Sequence, residues 1–204
     1  MIKVYHIPPS RSFRVVWLME ELGEPYETER ISFPFDAAFL ARNPEGTLPF
    51  IEDDGISMAE SIAILQYITG RRLPAAAALT VGPNPDPAAY AAHLQFLHLG
   101  EASLAAPLAS VFSTRRFAPE DQKDNFTVTA SANMFARRVG VVEKRLADGR
   151  TYIMGDTFKI ADISIGFALD LAQLVALGDL IPEHTRAYHQ RLRARAAYQR
   201  ALAK

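Results

Sequence analysis

The hydrophobic pattern of this chain changes character across one short proline-rich stretch, and that change limits what either side can fold into. Residues 75–87 read AAAALTVGPNPDP, with Pro83, Pro85 and Pro87 at alternate positions. Proline fixes φ and removes an N–H, so such a run is a connector rather than a helix or a central strand. Before it, strand-like and helix-like segments alternate. IKVYHI reads as a strand, SFRVVWLMEELG as a helix ending at Gly23, and YETERISF as a second strand. A loop holding Asn43, Pro44, Glu45 and Gly46 follows. Phe50–Glu52 then pairs with Ile56–Met58 around Asp54-Gly55, a strong hairpin signal. AESIAILQYITG completes this half as a helix with Gly70 as its stop. The order βαβ followed by ββα predicts a small α/β sheet with mixed strand directions.

Beyond the prolines every segment reads as helix. Asp86 is an acidic N-cap with Pro87 at the first helical position. Tyr90, Leu94, Leu97, Glu101, Leu104 and Leu108 recur at steps of three and four, predicting one largely apolar helix face. A long segment from Glu120 to Asp148 ends at Gly149. The last two helices are expected over Ile160–Leu177 and Pro182–Ala203. The expected organisation is an α/β domain over 1–74, a linker over 75–87 and an all-α helical domain over 88–204.

Composition removes several function classes. A net charge of −1 over 204 residues supplies no field that would favour nucleic acid or an anionic membrane. The apolar run IADISIGFALDLAQLVALGDLI is broken by Asp162, Asp170 and Asp179, so no spanning helix is expected there. Met1 leads straight into the first strand without a signal-like segment, which makes the cytoplasm the expected location. With no cysteine, any thiol chemistry must use a thiol that arrives with a ligand. GxGxxG, P-loop, HExxH and GxSxG patterns are absent. His93 and His98, and His184 and His189, are five apart, which splays each pair around a helix, and no metal site is expected.

Two stretches can carry chemistry. In YHIPPSRSFR, Ser10 and Ser12 stand where a strand hands over to a helix. Either hydroxyl can be a plain helix cap, or can join the exposed N–H groups of the helix start in holding an anion. In GTLPFIEDDGISMAES, Pro49 lies between a loop and a strand, a position for a cis-proline that leaves the backbone of Leu48 to pair with a ligand. Glu60 and Ser61, at a helix N-terminus, supply an acid for an ammonium and a hydroxyl with N–H groups for a carboxylate. Together these suit an amino-acid-like group attached to an extended peptide.

Taken in order, VYHIPPSRSFRVVWLMEELGEPYE, NPEGTLPFIEDDG, AESIAILQYI, FLHLGEASLAAPL, GDTFKIADI and YHQRLRARAAYQRA resemble the glutathione transferase family. The resemblance spans nearly the whole chain and looks most like a serine-type bacterial and fungal branch related to the theta and zeta classes. It implies a thioredoxin-like α/β N-terminal domain joined to an all-α C-terminal domain. Carried over, it assigns Ser10 to the glutathione thiolate, with Ser12 and Tyr5 as alternatives. It also assigns Leu48, Pro49, Glu60 and Ser61 to glutathione, with Thr47 at the position where many members have lysine. Lys159 stands where the family caps a core helix with serine or threonine, and Ala196 where proline is usual. The electrophile is expected against Phe35, His98, Phe112 and Phe117.

The resemblance implies glutathione as co-substrate, a small apolar electrophile as second substrate and a homodimer. Conjugation is the leading expectation. Isomerisation, dehalogenation and peroxidase chemistry on the same site are rivals, and a non-catalytic module binding glutathione or apolar ligands is a rival of another class.

Overall fold

The computed structural model describes residues 1–72, 74 and 76–204, so Ala75, the first residue of the expected linker, lies outside the described residues. Strand β1 (Ile2–His6) leads into helix α1 (Ser12–Leu22), which ends on Gly23 at φ 67°. This left-handed cap suits glycine because no Cβ crowds the carbonyl. Strand β2 (Tyr26–Arg30) then returns parallel to β1, a βα crossover of the expected kind. Strands β3 (Phe50–Asp53) and β4 (Ile56–Ala59) form an antiparallel hairpin through Asp54 (φ 50°) and Gly55 (φ 86°). Because β3 pairs antiparallel with β1, the sheet order is β2-β1-β3-β4.

Two features of this half differ from expectation. Helix α2 (Ala37–Arg42) fills part of the stretch expected as loop, capped by Asp36, whose side chain accepts from Phe39 N–H at 2.7 Å. Helix α3 (Ser61–Arg71) runs through Gly70 and closes on Arg72, which keeps a right-handed φ of −95°. Gly70 is therefore a last-turn residue and not the stop.

The helical region opens as expected, with Asp86 accepting from Ala88 and Ala89 N–H at the start of α4 (Pro87–His98). The apolar stripe does not continue on one regular helix. Residues Leu99–Ala105 form a π-helical segment before α5 (Ala106–Phe117). Gly100 crosses there against Ser164, where a Cβ would lie 2.3 Å from the Ser164 hydroxyl oxygen, and Ser164 donates to Leu97 C=O at 2.7 Å. Leu97, Leu104 and Leu108 are fully buried within this region, while Tyr90, Leu94 and Glu101 of the stripe are half-buried.

Helix α6 (Phe126–Leu146) starts later than expected, because Asn125 caps it through Thr127 and Val128 N–H. The core helix is α7 (Ile160–Leu174), apolar on nearly every side and packed by α4, α5, the π-helical segment and α8 (Glu183–Arg193). Buried Asp162 accepts from Lys159 N–H, Ile153 N–H and Tyr188 Oη. Lysine has no acceptor to complete a capping box, and the Lys159 ammonium donates instead to Ala78 C=O at 2.7 Å.

The expected last helix is two helices, α8 and α9 (Ala196–Leu202), separated where Arg195 adopts an extended ψ of 137°. Helix α9 packs on α1, with Tyr198 edge-on to Trp17 and Phe13 at 4.9 and 5.2 Å. Arg195 forks onto Glu21 through two 2.7 Å bonds. The chain thus groups into two compact units, Met1–Ala77 with Ala194–Lys204, and Ala78–Arg193. The first carries the thioredoxin-like α/β arrangement and the second is all-α. None of the described helices is long and apolar enough to cross a membrane.

Candidate functional site

The first unit brings two helix starts into register through one buried arginine. Arg14, in the first turn of α1, is fully buried and donates from Nη1 to Ser61 Oγ at 2.9 Å. Ser61 opens α3 and is itself buried. A charged donor on a neutral hydroxyl is a strong hydrogen bond, more so in a low-dielectric core. It fixes the N-terminus of α3 against α1, although the two residues lie 47 positions apart.

At the start of α1 the residue in the cap position is Arg11, and no side chain caps it in the usual way. Ser10 is half-buried, and its Oγ accepts weakly from Ser12 N–H at 3.3 Å. The two hydroxyls are bonded to each other, Ser10 Oγ to Ser12 Oγ at 2.6 Å, and Ser12 Oγ continues to His6 Nδ1 at 2.7 Å. Ser12 is fully buried, leaving Ser10 as the hydroxyl nearer the surface. Burial, reinforced by the positive charge of Arg30, pushes the His6 ring down to about 4, so it is neutral at physiological pH.

Tyr5 lies elsewhere. Successive strand residues face opposite sides of a sheet, so Tyr5 and His6 point apart. The Tyr5 ring packs with Phe39 and Phe50, while its hydroxyl donates to Glu52 (3.0 Å) and accepts from Arg42 (2.7 Å). Burial raises this phenol above its ordinary value.

The second helix start carries a strained residue. Glu60 sits exposed at φ 69°, a backbone conformation that L side chains rarely adopt, and its carbonyl accepts the Ile64 N–H of α3 at 2.9 Å. Upstream, the Leu48–Pro49 peptide is cis, and Leu48 precedes β3 outside its ladder, packed against the Tyr5 cluster. Thr47 is exposed, and its carbonyl accepts from the buried Asn43 side chain at 2.7 Å. Asn43 therefore shapes the loop that presents residues 47 and 48.

Of the residues expected at the electrophile, Phe35 belongs to the first unit. Its ring meets Phe39 at a tilt (4.9 Å) and Phe33 edge-on (5.5 Å) beside the Tyr5 cluster. His98, Phe112 and Phe117 belong to the second unit, all exposed, Phe117 at 70% with Arg116 over its ring. Among the described residues, no group of three or more histidines, cysteines or acids could hold a metal ion.

Residues 1–70 match the family model described as Glutathione S-transferase, N-terminal domain. Glutathione S-transferase 3 of Schizosaccharomyces pombe is 34% identical over 108 residues, 51% of this chain and 43% of that protein, so the chain spans less than half of that relative. Glutathione S-transferase-like protein OpS6 of Beauveria bassiana is 32% identical over 177 residues, 80% of this chain and 75% of that protein. A crystal structure of a glutathione transferase family member from Pseudomonas fluorescens pf-5, with two glutathione bound, superposes with a TM-score of 0.85. It shares 27% identity over 98% of this chain and 92% of that one. A serine-bearing helix start, a cis-proline loop and a strained acid at a second helix start thus sit on a chain that belongs to the glutathione S-transferase family.

Proposed function

We propose that this protein is a glutathione transferase that holds the glutathione thiol as thiolate at Ser10 for attack on a small apolar electrophile. The Leu48 backbone, beside cis-Pro49, would hold the cysteinyl part, Thr47 would lie toward the glycyl carboxylate, and Glu60 with Ser61 would hold the γ-glutamyl end. The observation that carries the assignment is the pair of helix starts joined by the Arg14–Ser61 bond, one bearing Ser10 and the other Glu60. The engagement of the Tyr5 hydroxyl with Glu52 and Arg42 favours Ser10 over Tyr5. The burial of Ser12 favours Ser10 over Ser12.

The energetics suffice without a base. A free thiol titrates near about 8.5, and lowering that by roughly two units requires about 2.7 kcal/mol of preferential anion stabilisation. A hydroxyl bond to a charged group supplies about 1.5–3 kcal/mol. The α1 N-terminus adds roughly 0.3–2 kcal/mol. A proton donor at Ser10 beside the positive end of the α1 dipole therefore covers the requirement.

Ser10→Ala tests this. The expected outcome is a higher thiol pKa for bound glutathione and a fall of about 10–100-fold in conjugation of a chromogenic halonitroarene, read by ultraviolet thiolate titration and kinetics. An unchanged titration would move the role away from Ser10. Retention on immobilised glutathione without turnover across a broad electrophile panel would identify a binding module instead. A homodimer, carried over from the family, is tested by size exclusion against the 22.6 kDa monomer mass.

A further inference from the structure

A chain of three hydrogen-bonding groups runs inward from the proposed thiolate site, from Ser10 Oγ to Ser12 Oγ (2.6 Å) and on to His6 Nδ1 (2.7 Å). Each hydroxyl owns one proton, so the chain has two self-consistent polarities. Where Nδ1 accepts, Ser12 donates to His6 and Ser10 donates to Ser12, leaving no hydroxyl proton for a ligand. Where Nδ1–H donates, Ser12 donates onward to Ser10. The Ser10 oxygen then accepts from both Ser12 O–H and Ser12 N–H, and its own proton is free to point outward. Only the second polarity offers a donor to an anion.

Resting on the glutathione site proposed above, we infer that His6 is a positioning residue for catalysis. As its Nδ1–H tautomer it donates to Ser12, which makes Ser12 donate to Ser10 and aims the Ser10 proton at the glutathione sulfur. The donor end of the chain is buried and shielded from water, since His6 is 1% exposed and Ser12 0%. Water therefore cannot randomise the hydroxyl directions from within.

The rival role for His6 is that of a base. The thiol proton would pass to Ser10, the Ser10 proton to Ser12 and the Ser12 proton to Nδ1, yielding thiolate and a buried imidazolium. Burial and the Arg30 charge hold the ring near about 4. A thiol near about 8.5 would lose its proton to such a ring only against a penalty of ~10⁴-fold or more. His6 therefore stays neutral and acts through direction of donation, without receiving charge.

The test uses the full chain with glutathione and three variants. His6→Phe keeps the bulk and removes the donor. His6→Asn returns an amide N–H close to the Nδ1 position, and Ser12→Ala cuts the chain without touching the ring. Both His6→Phe and Ser12→Ala should raise the bound-thiol pKa by about one unit, cutting thiolate ~10-fold below that pKa, with a similar fall in kcat. The glutathione KM should stay within about twofold of wild type, and His6→Asn should recover most of the titration.

A wild-type titration in His6→Phe overturns the inference. So does a loss that appears only in KM, or one that His6→Asn fails to recover, since either marks a merely structural ring. If His6→Phe does not fold, Ser12→Ala decides by the same titration. Ser10→Ala run in parallel separates the two levels. If it too titrates as wild type, the glutathione site itself is misassigned. If it shifts while His6→Phe and Ser12→Ala do not, only the role of His6 falls.

Discussion

Glu60 holds a φ of 69° that glycine would adopt freely and glutamate adopts at a cost on the order of 1–3 kcal/mol. A residue kept in such a conformation aims its side chain where relaxed backbone would not, which fits its proposed contact with an ammonium. Glu60→Gly should therefore raise stability by about 0.5–1 kcal/mol in urea denaturation while weakening glutathione binding. A variant that binds normally would remove Glu60 from the site. The residues proposed for the site stand out in the sequence because their signals are local: the proline after Leu48, the acid and hydroxyl opening α3, the serine after the strand. His6, Arg14 and Asn43 as supports of the site were not. Arg14 meets Ser61 only because α1 and α3 pack together, and His6 meets Ser12 only because the loop from β1 doubles back onto its last residue.

At the scale of elements, the docking of α9 on α1 shows how apolar and charged contacts divide their work. Trp17 and Tyr198 are buried against each other, and the carboxylate of Glu21, 8% exposed, is satisfied by Trp17 Nε1 as well as by the Arg195 fork. Burial works against the charge on neighbouring Glu20, but bonds from Tyr26 and Arg200 outweigh it and hold that carboxyl below its ordinary value. Tyr198→Ala should cost about 3–5 kcal/mol, visible as a lowered thermal midpoint with increased Trp17 exposure by fluorescence quenching. An unshifted midpoint would show that α9 adds nothing to this core. Helices α7 and α6 could be read from long periodic segments, while α2 could not, because six residues between Asp36 and Asn43 hold too little periodicity. The α8–α9 break carries neither glycine nor proline. It is set by the packing of α9 on α1, which no local signal announces.

At the scale of the whole molecule, two buried histidines are held neutral by their surroundings, His6 in the first unit and His93 in the second. Burial pushes both rings down to about 4, with Arg30 adding to the effect at His6 and Lys159 at His93. Unfolded, both titrate near about 6.5. Between those values the unfolded chain binds more protons than the folded one, so stability is full above about pH 6.5 and drains as pH falls toward 4. Each ring contributes on the order of 3 kcal/mol to that slope. Thermal midpoints should drop across this window, and His93→Gln should flatten the decline. A variant slope equal to wild type would show that His93 does not titrate with unfolding. The return of Ala194–Lys204 to the first unit has a further consequence, which concerns protein synthesis. A ribosome delivers the sheet and α1 long before it delivers Tyr198, so the nascent sheet waits with the flank around Trp17 and Phe13 bare. The second unit is contiguous and has all its parts first. Vectorial translation therefore reverses the usual amino-to-carboxyl order of domain completion in this chain.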